Sequence, residues 1–239
     1  MTASPIRAAV FDLDDTLISE IEYQRSAREA VLQYLSVKTG IGIDEVVEHS
    51  DVASRKPRTE YFQTLLPRLG LPADDRFVAE LIAVHREHLP DVSWYPDVLA
   101  SLEALSAAGV KLGIITDGYA VAQRQKLMAV KADQFFEAIV VSDELGRQYW
   151  KPHERPFRLV AQMLDVPLNE MAYVGDNPQK DFYVSTSLPI TTVKMTRPDS
   201  LKGQLDYLDG VVEHHAVSTM GEIETLIGQR NGAVKHAGT

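Results

Sequence analysis

The chain has 239 residues, 45% of them apolar and 24% charged, so it can bury one substantial core and a smaller second one. It contains no cysteine, which excludes disulfides, thiolate metal sites and a cysteine nucleophile, and its formal net charge of −10 argues against non-specific nucleic-acid binding. No apolar run approaches the roughly 20 residues that span a bilayer, and Met1 to Arg7 lack the basic-then-apolar pattern of a secretory leader, so a cytoplasmic protein with no membrane partner is expected.

The apolar run Ala8-Ala9-Val10-Phe11 reads as a buried strand, and it ends in Asp12-Leu13-Asp14-Asp15-Thr16-Leu17. Alternate residues of an extended segment share a face, so Asp12 and Asp14 can approach each other. Like charges that close raise one another's pKa or require a cation. From about Ile18 to Ser93 no strand is evident. Three helical stripes occur instead: Tyr23, Ala27, Ala30, Val31 and Tyr34; then Tyr61, Phe62, Leu65, Leu66 and Leu69; then Phe77, Leu81 and Val84. An insertion of about 75 helical residues directly after the first strand is too long for a loop and implies a separate small domain.

The chain rejoins the first pattern through Trp94-Tyr95-Pro96-Asp97 and a helix from Val98 to Ala108, stopped by Gly109. Further strands are expected at Val110–Ile115, Ala138–Val141, Met171–Val174 and Ile190–Val193, with a sixth beginning at Val211-Val212. Helical patterns over 121–128 and 157–164 separate them. This alternation implies an α/β fold with a mostly parallel sheet and helices on both faces. The expected divisions are a core of 1–17 and 94–230, a helical domain of 18–93, and a flexible polar tail of 231–239.

Three polar clusters fall at the carboxyl ends of expected strands: Asp12 with Asp14, Thr116-Asp117-Gly118, and Gly175-Asp176-Asn177. Ligands of open parallel sheets bind at such ends where the winding direction reverses. If the first strand lies between the second and fourth, the clusters converge, and Asp12, Asp14, Asp176 and Asp181 bring four carboxyls into one crevice. Two unit charges at 4 Å repel by about 1 kcal/mol even in water, and by more in a drier site. A hard divalent cation relieves this, and Mg²⁺ suits best because it accepts a few carboxylates plus water and phosphate oxygens. Lys151, in Tyr149-Trp150-Lys151-Pro152, can neutralise further negative charge.

The ordered set FDLDDTL, IITDG, the lysine of WKP, and YVGDNPQKD resembles the haloacid dehalogenase superfamily of hydrolases over nearly the whole chain. The resemblance implies a Rossmann-like core with an inserted α-helical cap. It implies that Asp12 is a nucleophile forming an aspartyl-phosphate and that Asp14 is the general acid and then the base. Thr116, with the backbone N–H groups of Asp117 and Gly118, holds phosphoryl oxygens on this reading, and Lys151 stabilises the charge on nucleophile and phosphoryl group. Asp12, Asp176 and the backbone carbonyl of Asp14 hold Mg²⁺, while Asp181 orients that shell and pairs with Lys151. Dehalogenases of the superfamily lack the acid and the metal use of the last motif, so the presence of Asp14 and Asp176 favours phosphate chemistry. The expected activity is hydrolysis of a small soluble phosphomonoester, such as a sugar phosphate, a hydroxy-acid phosphate or a nucleoside monophosphate. A phosphomutase with the same nucleophile and a non-catalytic binding module on the same fold are the alternatives, and monomer and homodimer are equally compatible with the sequence.

Other polar residues receive plainer readings. Asp15 is expected as a solvated turn residue, and the Thr16 hydroxyl as a fixer of that turn. Glu20, Tyr23 and Arg25 read first as solvated helix residues. Arg55, Lys56 and Arg58 read as a surface turn, Tyr149 and Trp150 as pocket walls, and His85, His88, His214 and His215 as non-ligands.

Overall fold

The computed structural model describes residues 4–237. Six parallel strands, β1 (Ala8–Phe11), β2 (Lys111–Thr116), β3 (Ala138–Val141), β4 (Met171–Gly175), β5 (Thr191–Met195) and β6 (His215–Val217), form one sheet in the order β3-β2-β1-β4-β5-β6. The short β1 is therefore central, with Phe11 in register with Ile114 of β2 and Val174 of β4. Its four residues are all buried, as a strand covered on both faces requires. The strand expected at Val211-Val212 forms three residues later instead, because Val211 closes a short 3₁₀ turn and Val212 is exposed.

Side-chain alternation along β1 divides the core. Ala9 and Phe11 pack on one side with Val98, Leu102 and Leu105 of α5 (Val98–Ala107), Leu127 of α6 (Ala120–Ala129) and Ile223 and Ile227 of α8 (Met220–Ala237). Ala8 and Val10 pack on the other with Phe157, Val160 and Leu164 of α7 (Glu154–Leu164). The ring of Phe157 meets that of Tyr173 edge-on, centroids 4.9 Å apart. Since α8 continues to Ala237, residues 231–237 are helical where a flexible tail was expected, and residues 238 and 239 lie outside the described residues.

The helical insertion is built from α1 (Glu20–Thr39), α2 (Ile43–Ala53), α3 (Tyr61–Arg68) and α4 (Asp75–Glu87), α4 being capped by the Asp74 carboxylate, which accepts from the Phe77 N–H at 2.9 Å. Its own core comprises Val31, Leu32, Leu35, Val46, Leu65, Leu66 and Leu81. Glu22–Asp91 is a compact unit by itself, and the remaining described residues form the other. Residues 18–21, read from sequence as part of the insertion, belong with the sheet: Ile18 is buried in its core and bridges to Asp14 and Trp94. Arg55 and Lys56 are exposed, and the side chain of Arg58 lies outside the described residues. No described helix is long and apolar enough to cross a membrane.

The end of β4 is a close approach of backbone to side chain. A Cβ at Gly175 would overlap the Asp181 carboxylate, standing 2.5 Å from its Cγ and 2.9 Å from its Cβ. Gly175→Ala is therefore expected to displace Asp181 and to destabilise the fold by about 1–3 kcal/mol, as overpacking does. Denaturant titration of the variant, with near-wild-type stability as the contrary result, checks this.

Candidate active site

The central position of β1 brings its carboxyl-terminal residues beside those of β2 and β4. Asp12 follows β1 directly, its N–H donating to the Val174 carbonyl at 2.8 Å, so the extended chain carries the carboxylate into the space above β4. There Lys151, almost fully buried, places its ammonium 2.9 Å from Asp12 Oδ1 and 2.8 Å from Asp181 Oδ1. The same ammonium donates to the Tyr173 hydroxyl at 2.8 Å, and that hydroxyl reaches Asp181 Oδ1 at 3.1 Å. Asp181 Oδ2 accepts from the Asn177 N–H at 2.8 Å, so both of its oxygens are engaged by protein donors.

Asp176 completes an acidic trio. One oxygen from each of Asp12, Asp176 and Asp181 lies within 4.8 Å of the others, and all three residues are buried. Burial, reinforced by the charges of Asp181 and Asp14 and opposed by Lys151, pushes the Asp12 carboxyl up to about 7. Burial and the charges of Asp181 and Asp12 push Asp176 up to about 8, against a hydrogen bond from the Ser200 hydroxyl at 2.7 Å. Burial acts against the charge of Lys151, but Asp12 and Asp181 outweigh it and raise its pKa. Three crowded carboxylates, with Asp12 and Asp176 held above the ordinary carboxylate range, are the donor set a hard cation fits.

The Asp14 side chain does not join this trio. Its Oδ1 accepts from the Lys126 ammonium at 2.7 Å and its Oδ2 from the Gln123 amide at 3.0 Å. Sequence reasoning expected four carboxyls in one crevice. Three gather beside one another, two of them on Lys151, and the side chain of the fourth turns to α6, where a separate cation meets it. Burial opposes the charge of Lys126, yet Asp14 and Glu20 prevail and raise its pKa.

Thr116 ends β2 fully buried, with its hydroxyl accepting from the Gln123 amide and its carbonyl from the Ser142 hydroxyl. Asp117 accepts from the Lys151 N–H at 3.1 Å, from the Ser142 hydroxyl, and from the Lys180 ammonium at 3.0 Å. Gly118 adopts φ of 142°, which disfavours any side chain, and a Cβ there would stand 3.0 Å from Gln123 Cδ. The indole N–H of Trp150 donates to Asp143 at 3.1 Å with the Lys180 ammonium above the ring, whereas the Tyr149 ring faces Arg155 and His153.

Four plainer readings are corrected, since Tyr23 is buried rather than solvated and Glu20 pairs with the Lys126 ammonium at 2.7 Å. Asp15 is buried rather than solvated, at φ of 54°, and its carboxylate accepts from the N–H groups of Glu20 at 2.9 Å and Leu201 at 2.8 Å. The Thr16 hydroxyl is buried with no hydrogen-bond partner among the described residues. The Thr16 carbonyl instead accepts from Arg197 Nε at 3.1 Å. Sequence reasoning also missed Gln123, Lys126, Tyr173 and Ser200. Gln123 and Lys126 stand three apart on one helix, a spacing that places two polar side chains on one face and could have drawn attention to them. For Tyr173 and Ser200 no local pattern was available.

Comparison with known proteins agrees with this fold. The family model of the haloacid dehalogenase-like hydrolases matches residues 9–194. The chain is 32% identical over 204 residues to a glyceraldehyde 3-phosphate phosphatase of Methanopyrus kandleri, covering 80% of this chain and 84% of that one. It is 28% identical over 227 residues to the enzyme of the same name from Methanocaldococcus jannaschii, covering 93% and 96%. Among solved structures, a HAD phosphatase from Thermococcus onnurineus superposes with a TM-score of 0.58 at 24% identity, over 93% of this chain and 98% of that one. A parallel sheet with its acidic trio and buried lysine at the strand ends, matched along most of the chain, thus places this protein in the haloacid dehalogenase-like hydrolase family.

Proposed function

We propose that this hydrolase is a Mg²⁺-dependent phosphatase that releases inorganic phosphate from a small phosphomonoester through an aspartyl-phosphate on Asp12. The observation that carries the reading is the pairing of Asp12 with buried Lys151 inside the acidic trio, at the end of the central strand. Similarity over 80% and 93% of the chain to relatives named for glyceraldehyde 3-phosphate supports a small phosphorylated metabolite as substrate. In chain order, Glu22–Asp91 occupies the place of the family's inserted cap.

On this reading Asp12 attacks phosphorus while Lys151, 2.9 Å from its carboxylate, fixes the orientation of that carboxylate and offsets the charge that the incoming phosphoryl group brings. Thr116 and the backbone N–H groups of Asp117 and Gly118 receive phosphoryl oxygens. Asp14 gives a proton to the departing alkoxide oxygen, then takes one from the water that opens the acyl phosphate. Asp12, Asp176 and the Asp14 carbonyl would hold Mg²⁺, with Asp181 orienting the group through Lys151 and the Asn177 N–H. Bound there, the ion supplies Lewis-acid stabilisation of phosphoryl oxygens.

Asp12→Asn removes the nucleophile but keeps its shape, so turnover falls by roughly 10³-fold or more with folding intact. Phosphate release, assayed together with formation of an isomeric ester, checks this, and turnover near wild type would remove the covalent route. Asp14→Asn costs roughly 10²–10⁴-fold for alkyl phosphates and far less for activated aryl phosphates, whose leaving groups need no proton. Uniform losses across leaving groups count against an acid role.

Cation binding carries a pH signature. The raised carboxyls of Asp12, about 7, and Asp176, about 8, favour the metal-free folded protein at low pH, and that contribution is lost as pH rises through those values. A cation competes with the same protons, so it gains in the same window. Mg²⁺ is therefore expected to raise the thermal unfolding midpoint more at about pH 8 than at about pH 6. An equal or smaller shift at the higher pH, or an undiminished one in Asp176→Asn, contradicts the assignment.

A further inference from the structure

The helix α6 buries two polar residues, Gln123 and Lys126, together with Ala122 and Leu127. Gln123 and Lys126 are each 2% exposed, while Val121 is 49% and Met128 58% exposed. Burial of Ala122 and Leu127 accounts for the apolar part of the inward face, but it gives no reason for two polar side chains to be buried beside them. The orientation adopted presents two donors, one helical turn apart, to a single carboxylate. Lys126 Nζ stands 2.7 Å from Asp14 Oδ1, and Gln123 Nε2 stands 3.0 Å from Asp14 Oδ2.

Both donors are themselves fixed. The Lys126 ammonium also donates to Glu20 Oε2 at 2.7 Å, which anchors it from the first residue of α1. The Gln123 amide also donates to the Thr116 hydroxyl, and its side chain packs into the space left by the missing Cβ of Gly118. Two restraints, one on each oxygen, fix the plane of a carboxylate that would otherwise turn about its two side-chain torsions. Proton transfer to a leaving oxygen depends on that orientation.

We propose that Lys126 and Gln123 are positioning residues that orient Asp14 for proton transfer. The proposal rests on the reading of Asp14 as the acid. A purely structural ion pair would affect all substrates alike, whereas a positioning role affects those that need the acid. Lys126→Met, Lys126→Arg, Gln123→Met and Asp14→Asn are compared with the wild type on glycerol phosphate and on 2,4-dinitrophenyl phosphate, with Mg²⁺ present. Lys126→Met is expected to lower kcat/KM about 100-fold for the alkyl ester and less than about fivefold for the aryl ester, with Lys126→Arg recovering about tenfold of the alkyl loss. Gln123→Met shifts the same ratio in the same direction, by about tenfold, and decides the matter if Lys126→Met does not fold. If Asp14→Asn discriminates between the esters and the Lys126 and Gln123 variants do not, the positioning role is overturned alone. If Asp14→Asn fails to discriminate, the acid reading is overturned and the positioning role with it.

Discussion

The Lys151 ammonium is the charge about which the site is organised. It lies among Asp12 at the end of β1, Asp181 in the loop after β4, and the hydroxyl of Tyr173 within β4. Withdrawing one member of such a buried cluster leaves a charge without compensation, typically at about 3–5 kcal/mol. The arrangement is consistent with that constraint, because the oxygens of Asp181 and the hydroxyl of Tyr173 all engage protein donors or acceptors. Even so, one cation does not balance three carboxylates: burial first, and then the charges of neighbouring acids, hold the pKa values of Asp12 and Asp176 above the ordinary carboxylate range.

Placing those groups together is the task of the sheet. With β1 between β2 and β4, three strand ends open on the same side, and each delivers polar residues there. The absence of a side chain at Gly175 lets Asp181 close against the backbone. The segment after β5 acts as a brace. Arg197 donates to the Thr16 carbonyl, the Leu201 N–H to Asp15, and the Ser200 hydroxyl to Asp176. The turn after β1 and the loop after β4 are thereby tied to one stretch of chain, far from both in sequence.

Asp12 and Asp14 are the same chemical group two residues apart, yet their surroundings differ. Asp12 faces Lys151 and two further acids, and Asp14 faces Lys126 and Gln123. Separate environments are what allow paired carboxylates to take separate roles. The division proposed here, nucleophile and acid–base group, needs such a difference.

Much of this architecture was legible in the amino-acid order. Apolar runs bounded by turns marked five of the six strands, since a doubly covered sheet demands continuous burial, and the acidic residues at their ends stood out against that background. The helical insertion was legible from its three stripes. What escaped the sequence were the distant partners that lie outside the recognised motifs. The burial of Asp15 depends on Leu201, 186 residues away, and the place of Tyr173 depends on the lysine it meets. Helix α6 could be found by its periodicity, but not that Gln123 and Lys126 would be buried beside Ala122 and Leu127, because their partners Asp14 and Glu20 lie far away along the chain. Local residue patterns therefore determined the elements, their order and the acidic residues at their ends. Apart from the contacts of Lys151 with Asp12 and Asp181, which the family resemblance implied, tertiary structure alone decided which charge meets which, because pairing energy depends on distances that folding sets and chain order does not.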